Sequence, residues 1–188
     1  MGYQTDVTRP APTTAASRVA VAAPVLVGVL CAAGFLLGPV SADMPATIVG
    51  IAALAYLSAA ATGRRAAAWV FVGVGTVVKV GAEIADVSWI PPILGLGVLL
   101  AGYGLLRRRS GTLIQSAAML GYLGLAVVAL LVGPSAGLAL AGAVLAAHAL
   151  WDMWHYRRDA VVHRPLALWC IGLDITAGTA CVVLAATS

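Results

Sequence analysis

The stretch "AAHALWDMWHYRRDAVVHRP", residues 146–165, sets His148, Asp152 and His155 at the end of an apolar run. Their i, i+4, i+7 spacing puts the three side chains along one face of a helix. A further carboxylate, Asp174, lies in the next apolar run, "CIGLDITAG". At 1.5 Å per residue His148 is about 13 Å inward from Arg157, and Asp174 about 13 Å inward from Pro165 on the returning helix. The two should therefore be level. Two imidazoles and one or two carboxylates in one pocket, with water completing the coordination, are a first set of ligands for zinc or another divalent transition metal such as iron or manganese. A metal so held would activate water as a nucleophile or base, with His148, Asp152 and Asp174 as catalytic groups. The plainer alternative is that the imidazole and carboxylates only hydrogen-bond and tie two helices together. His163, in the connecting loop, could cap the site.

A second polar pair, Lys79 and Glu83, lies in "GVGTVVKVGAEIAD". Its i, i+4 spacing allows mutual neutralisation, or a part in a proton or ion path. Lys79 lies roughly 21 Å from Arg65 along the helix, further out than His148. A column from Asp86 through Glu83 and Lys79 to Asp174 and Asp152 would be the skeleton of a relay, lined by Thr76, Gln115, Ser116 and Thr176. Lone hydroxyls in such helices, however, usually bond their own backbone. "GVGTVVK" lacks the spacing of a phosphate-binding loop.

These groups need elements to hold them, and the composition says which. The chain has 188 residues, 62% hydrophobic and 10% charged, with a mean hydropathy of +1.00. A soluble domain carries roughly a quarter charged residues, so this one belongs in lipid. Apolar runs cover 19–38, 45–62, 66–86, 90–106, 112–133, 136–155 and 166–187. Most reach the roughly 17–25 residues that cross the hydrocarbon core as helix, and continuous runs exclude a barrel of alternating strands. The expected fold is an all-α, polytopic transmembrane bundle of seven spans in one domain, 18–188, behind a disordered cytoplasmic tail, 1–17.

Ten of the eleven basic residues are arginines that fall before the first span or after the second, fourth and sixth. The positive-inside bias puts the N-terminus in the cytoplasm and the C-terminus outside, in a bacterial plasma membrane. The net charge of +4 then reflects topology and contact with anionic lipid, with no nucleic-acid partner implied. "VSA" at 40–42 has the small residues of a signal-peptide cleavage site, but the preceding run is long for one, and a retained anchor is expected. The three cysteines lie within apolar runs and imply no loop disulfides. "WIPP" at 89–92 and "GPS" at 133–135 are expected to end helices. Trp89 suits the outer interface, and Trp69, Trp151 and Trp154 the inner one. Small-residue faces are read as packing surfaces and as a route to a homo-oligomer: Gly73, Gly75 and Gly81; Gly95, Gly97, Gly102 and Gly104; Ala117, Gly121 and Gly124.

The "HALWDMWHY" element with its later cysteine and aspartate resembles a family of small bacterial integral-membrane proteins. That family carries His-x-x-Trp-Asp-x-x-His-His, then a proline, then a cysteine close to an aspartate in the last helix. His148, Trp151, Asp152, His155, Pro165, Cys170 and Asp174 correspond, while Tyr156 stands where that pattern has its second histidine. The resemblance covers about 146–178 and implies that the cluster is one unit, with no established activity attached. In topology alone the chain is similar to the seven-helix hydrolases and progestin or adiponectin receptor-like proteins, although their helix-two serine and histidine are missing here. Microbial rhodopsins are excluded, since the last span has no lysine.

Three functions follow as alternatives. The first is an intramembrane, metal-dependent enzyme acting on a lipid or apolar substrate near the cytoplasmic leaflet. A small proton-coupled transporter or channel using Lys79, Glu83, Asp152 and Asp174 is the second. The third is a structural or accessory subunit.

Overall fold

A computed structural model of the chain describes residues 14–187, with side chains from 18 onward. It contains seven helices and, among the described residues, no strand: α1 (Thr14–Leu36), α2 (Asp43–Thr62), α3 (Ala67–Ile84), α4 (Ile90–Leu106), α5 (Thr112–Leu131), α6 (Pro134–Arg158) and α7 (Arg164–Thr187). Six are long and apolar enough to cross a membrane, and α4 is a shorter apolar helix of 17 residues. The first helix begins at Thr14, inside the segment expected to be a tail; residues 1–13 lie outside the described part.

Local chemistry sets the helix ends. Gly63 leaves α2 in a left-handed conformation (φ 68°), which costs glycine nothing. Asp159 does the same after α6, where the Asp159 and Ala160 amides close back on the last turn. The prolines expected to end helices start them. Pro91 and Pro92 occupy the first turn of α4, and Pro134 the first turn of α6, where a missing N–H is harmless and the fixed φ suits the helix.

Helix α2 is the hub. Its alanines are buried over most of its length, and it packs against α3, α4, α5, α6 and α7. Small side chains let five neighbours approach one axis. Around it the order runs α3, α4, α5, α6, α7, with α1 lying along α7. The ring is open between α3 and α7, which meet chiefly where the Trp69 and Trp169 rings stand 5.8 Å apart.

The two ends differ in charge. Arg65 pairs with Asp159 at 3.0 Å, and the Arg109 guanidinium lies over Gly63, so the arginine-bearing loops share one end. At the opposite end Asp43 accepts from Trp89 Nε1 (2.8 Å) and Lys79 Nζ (2.5 Å). Trp89 is thus buried over Gly50 and bonded to a carboxylate. It lies at the end opposite the arginines, as the sequence suggested, but packs inside the bundle.

Close helix contact is made by glycines other than most of those expected. Of the stripes on α3, α4 and α5, Gly75, Gly97 and Gly104 face neighbouring helices, while Gly73, Gly81, Gly95, Gly102, Gly121 and Gly124 have open space where a Cβ would stand. Outside those stripes, further tight positions are Gly28 and Gly172 between α1 and α7, Gly142 and Gly178 between α6 and α7, and Gly137 against α5.

Candidate functional site: a buried imidazole between two carboxylates

Helix periodicity delivers His148 and Asp152 to the same face of α6, and α7 brings Asp174 level with them. All three are at most 1% exposed. His148 Nδ1 lies 2.9 Å from Asp174 Oδ2, a hydrogen bond in which the ring N–H donates. Asp152 Oδ2 lies 3.3 Å from the same nitrogen, off the hydrogen-bonding direction. From α2 the Tyr56 hydroxyl donates to Asp152 Oδ1 at 2.6 Å. Three helices therefore meet through polar atoms in the interior. The Tyr122 ring packs edge-on to His148, closing the α5 side.

His155 is held apart. Its Nδ1 donates to the Trp151 carbonyl (2.9 Å), and its Nε2 accepts from the Gln115 amide (2.9 Å), which assigns it as a neutral Nδ1–H tautomer with both nitrogens engaged. The expected ligand is instead packed against Tyr56, Trp151 and Trp154. It supports the Tyr56 ring that orients Asp152. His163 is exposed at the head of α7, about eleven residues along the helix from Asp174, and makes no side-chain hydrogen bond to the cluster among the described residues.

Several polar atoms in this interior have no hydrogen-bond partner among the described residues: His148 Nε2, Asp152 Oδ2 and Asp174 Oδ1. Such atoms are costly where neither water nor protein satisfies them. The charges are also unequal, with two carboxylates against one imidazole. One ligand atom from each of His148, Asp152 and Asp174 lies within 4.8 Å of the others, so the group could hold a metal ion. Donors placed tetrahedrally around zinc stand about 3.4 Å apart. The 2.9 and 3.3 Å separations at Nδ1 are close to that.

Lys79 and Glu83 pair at 3.0 Å, as the spacing allowed, and Asp43 completes the trio. No hydrogen bond among the described residues joins them to Asp174. Thr76 bonds the Val72 carbonyl, and Asp86 is exposed. An apolar cleft does run between the two polar groups. Tyr56, Cys170 and Asp174 line its inner part, Asp43, Lys79 and Glu83 its outer part, and Phe35, Ile48, Ile51 and Thr76 both.

Sequence reading missed Tyr56 and the Asp43 partner of Lys79. The signal for Tyr56 was present in "ALAYLSAA", a lone phenol in an alanine-rich span, since a buried phenol needs an acceptor. Tyr56→Phe leaves one carboxylate oxygen without its donor and should cost about 1–3 kcal/mol in thermal unfolding of the detergent-solubilised protein. An unchanged midpoint would show that this hydrogen bond is dispensable.

The chain matches no family model. Searches of curated proteins and of solved structures also give no match. The site must be read from its own chemistry.

Proposed function

We propose that the protein is an intramembrane, metal-dependent enzyme that acts on a lipid or other apolar substrate. The observation that carries this reading is the excess of buried carboxylate over imidazole, with unpartnered ligand atoms, beside a cleft lined by apolar side chains. A divalent cation held by His148, Asp152 and Asp174 would balance both carboxylates and supply a Lewis acid for a substrate oxygen. Tyr56 then has a positioning role, holding the Asp152 carboxylate through its hydroxyl. Asp174 also borders the cleft, where its free oxygen is suited to accept a proton from substrate.

The cluster sits about 15 Å along α6 from Arg158 and about 15 Å along α7 from Arg164, on the inner half if the arginine end is cytoplasmic. That orientation, seven spans with the N-terminus inside and the C-terminus outside a bacterial plasma membrane, belongs to the same proposal.

Elemental analysis of the detergent-purified protein tests it. Zinc, iron or manganese near one per chain in the wild type, lost in His148→Ala and Asp152→Ala, is the expected result. Because carboxylate and imidazole must be unprotonated to ligate, apparent affinity should fall as pH falls. A folded wild-type preparation that binds no added divalent metal overturns the proposal. A proton-coupled carrier is the second reading, favoured by the Lys79–Asp43–Glu83 group at the other end of the same cleft. It requires pH-dependent flux in liposomes that Glu83→Gln abolishes.

A further inference from the structure

The cleft has a shape and a polarity gradient that restrict what can occupy it. It lies where the ring of helices is open, between α3 on one side and α1 and α7 on the other, with α2 as its floor. Its rim is exposed at Phe35 and Val80 (48% and 47%), so it opens sideways, toward the acyl region of a bilayer. The outer part holds about 600 Å³ and the inner part about 80 Å³. The first lies in the range of about 300–1,000 Å³ typical of small-molecule sites. The second is too narrow for anything but a thin chain. From Asp43 to Tyr56 along α2 is about 20 Å, the reach of an extended alkyl chain.

Two buried polar atoms without hydrogen-bond partners among the described residues border this path, Thr47 Oγ1 in the outer part and Asp174 Oδ1 in the inner. Both residues are more than nine-tenths buried. At the mouth Lys79 is already paired with Asp43 and Glu83, so the trio carries one net negative charge, with Glu83 61% exposed at its side chain. An anionic headgroup gains little from so compensated a lysine. A headgroup bearing an ammonium finds complementary partners in the Asp43 and Glu83 carboxylates.

We propose that this cleft is a lateral binding site for one zwitterionic, amine-headed phospholipid, its headgroup at Lys79, Asp43 and Glu83 and one alkyl chain threaded past Thr76 to Tyr56 and Asp174. This goes beyond the enzyme reading: the headgroup oxygens lie at the Lys79 end, about 20 Å along α2 from the level of Tyr56, so the lipid is a resident ligand of the cleft. Lipid binding itself stands independently of the metal.

Photo-crosslinking in liposomes tests it, with phosphatidylethanolamine or phosphatidylglycerol carrying a diazirine on one chain and adducts mapped by peptide mass spectrometry. Expected are phosphatidylethanolamine adducts concentrated on the peptides bearing Ile51 and Leu173, with at least fivefold fewer from phosphatidylglycerol. Thr76→Trp, at an exposed position midway along the cleft, and Val80→Trp, at its rim, should each reduce the adducts at least fivefold while the adducts on the outer face of α5 persist. Adducts spread evenly over lipid-facing helices, and indifferent to both tryptophans, overturn the site. Cleft adducts equal for the two lipids overturn the headgroup assignment. Metal binding without cleft adducts would sink this inference and leave the metal proposal standing, and cleft adducts in a protein that binds no metal would do the reverse.

Discussion

His148→Leu is expected to destabilise the protein by about 3–5 kcal/mol, the cost of removing one partner from a buried ionic set. The substitution is close to neutral in volume, so packing contributes little. What it removes is, among the described residues, the only nitrogen between Asp152 and Asp174, both within 3.3 Å of Nδ1 and both at most 1% exposed. Two carboxylates would then face each other with only the Tyr56 hydroxyl as donor. Converting the whole group to apolar residues, His148→Leu, Asp152→Leu and Asp174→Leu with Tyr56→Phe, should recover most of the loss, because no unpaired charge is left behind. Thermal unfolding midpoints in detergent decide the matter. If the single substitution is no worse than the fourfold one, the cluster is not held together by charge. If both leave stability near wild type, its retention calls for a role other than packing, and added zinc should then raise the midpoint of the wild type alone.

The placement of this group was legible in the sequence because helix geometry is one-dimensional. An i, i+4 spacing fixes His148 and Asp152 on a shared face whatever the rest of the chain does, and a short loop after α6 brings Asp174 to the same depth. The removal of His155 from the metal-capable group was not legible. It depends on Gln115, forty residues earlier on α5, and on the carbonyl of Trp151, which is one turn back on the same helix. A spacing rule states which side chains share a stripe. It is silent on which of them already have their nitrogens occupied by a neighbouring helix.

The same limit applies to α2. Its apolar run announces a span, but nothing in "VGIAALAYLSAAAT" says that five helices will surround it or that Tyr56 will point at Asp152. Lys79 shows the complementary case. Its local partner Glu83 followed from spacing, whereas Asp43, thirty-six residues away, required knowing that α2 and α3 are adjacent at that end. Charge asymmetry did survive the step to three dimensions, since the loops that carry arginine come together around Asp159 and Gly63.

Glycine makes that distinction measurable. Gly172→Ala should cost about 1–3 kcal/mol or more, since a Cβ there would stand 2.2 Å from the Val25 carbonyl oxygen of α1. Backbone cannot rotate out of the way as a side chain can, so α1 must shift bodily by about 1 Å to restore contact distance. Gly28 faces the same interface from the other helix, with a Cβ position 2.1 Å from the Trp169 carbonyl oxygen, and Gly28→Ala should behave alike. Gly95→Ala and Gly102→Ala meet open space on α4. They should be neutral or stabilising by up to about 1 kcal/mol through helix propensity. Both pairs lie in glycine-rich apolar runs and read alike in sequence, so a difference in sign between them can come only from the packing of α1 on α7. Equal midpoints for Gly172→Ala and Gly95→Ala would show that α1 is not seated on α7 in this way. The cleft that both helices border would then lose one of its walls.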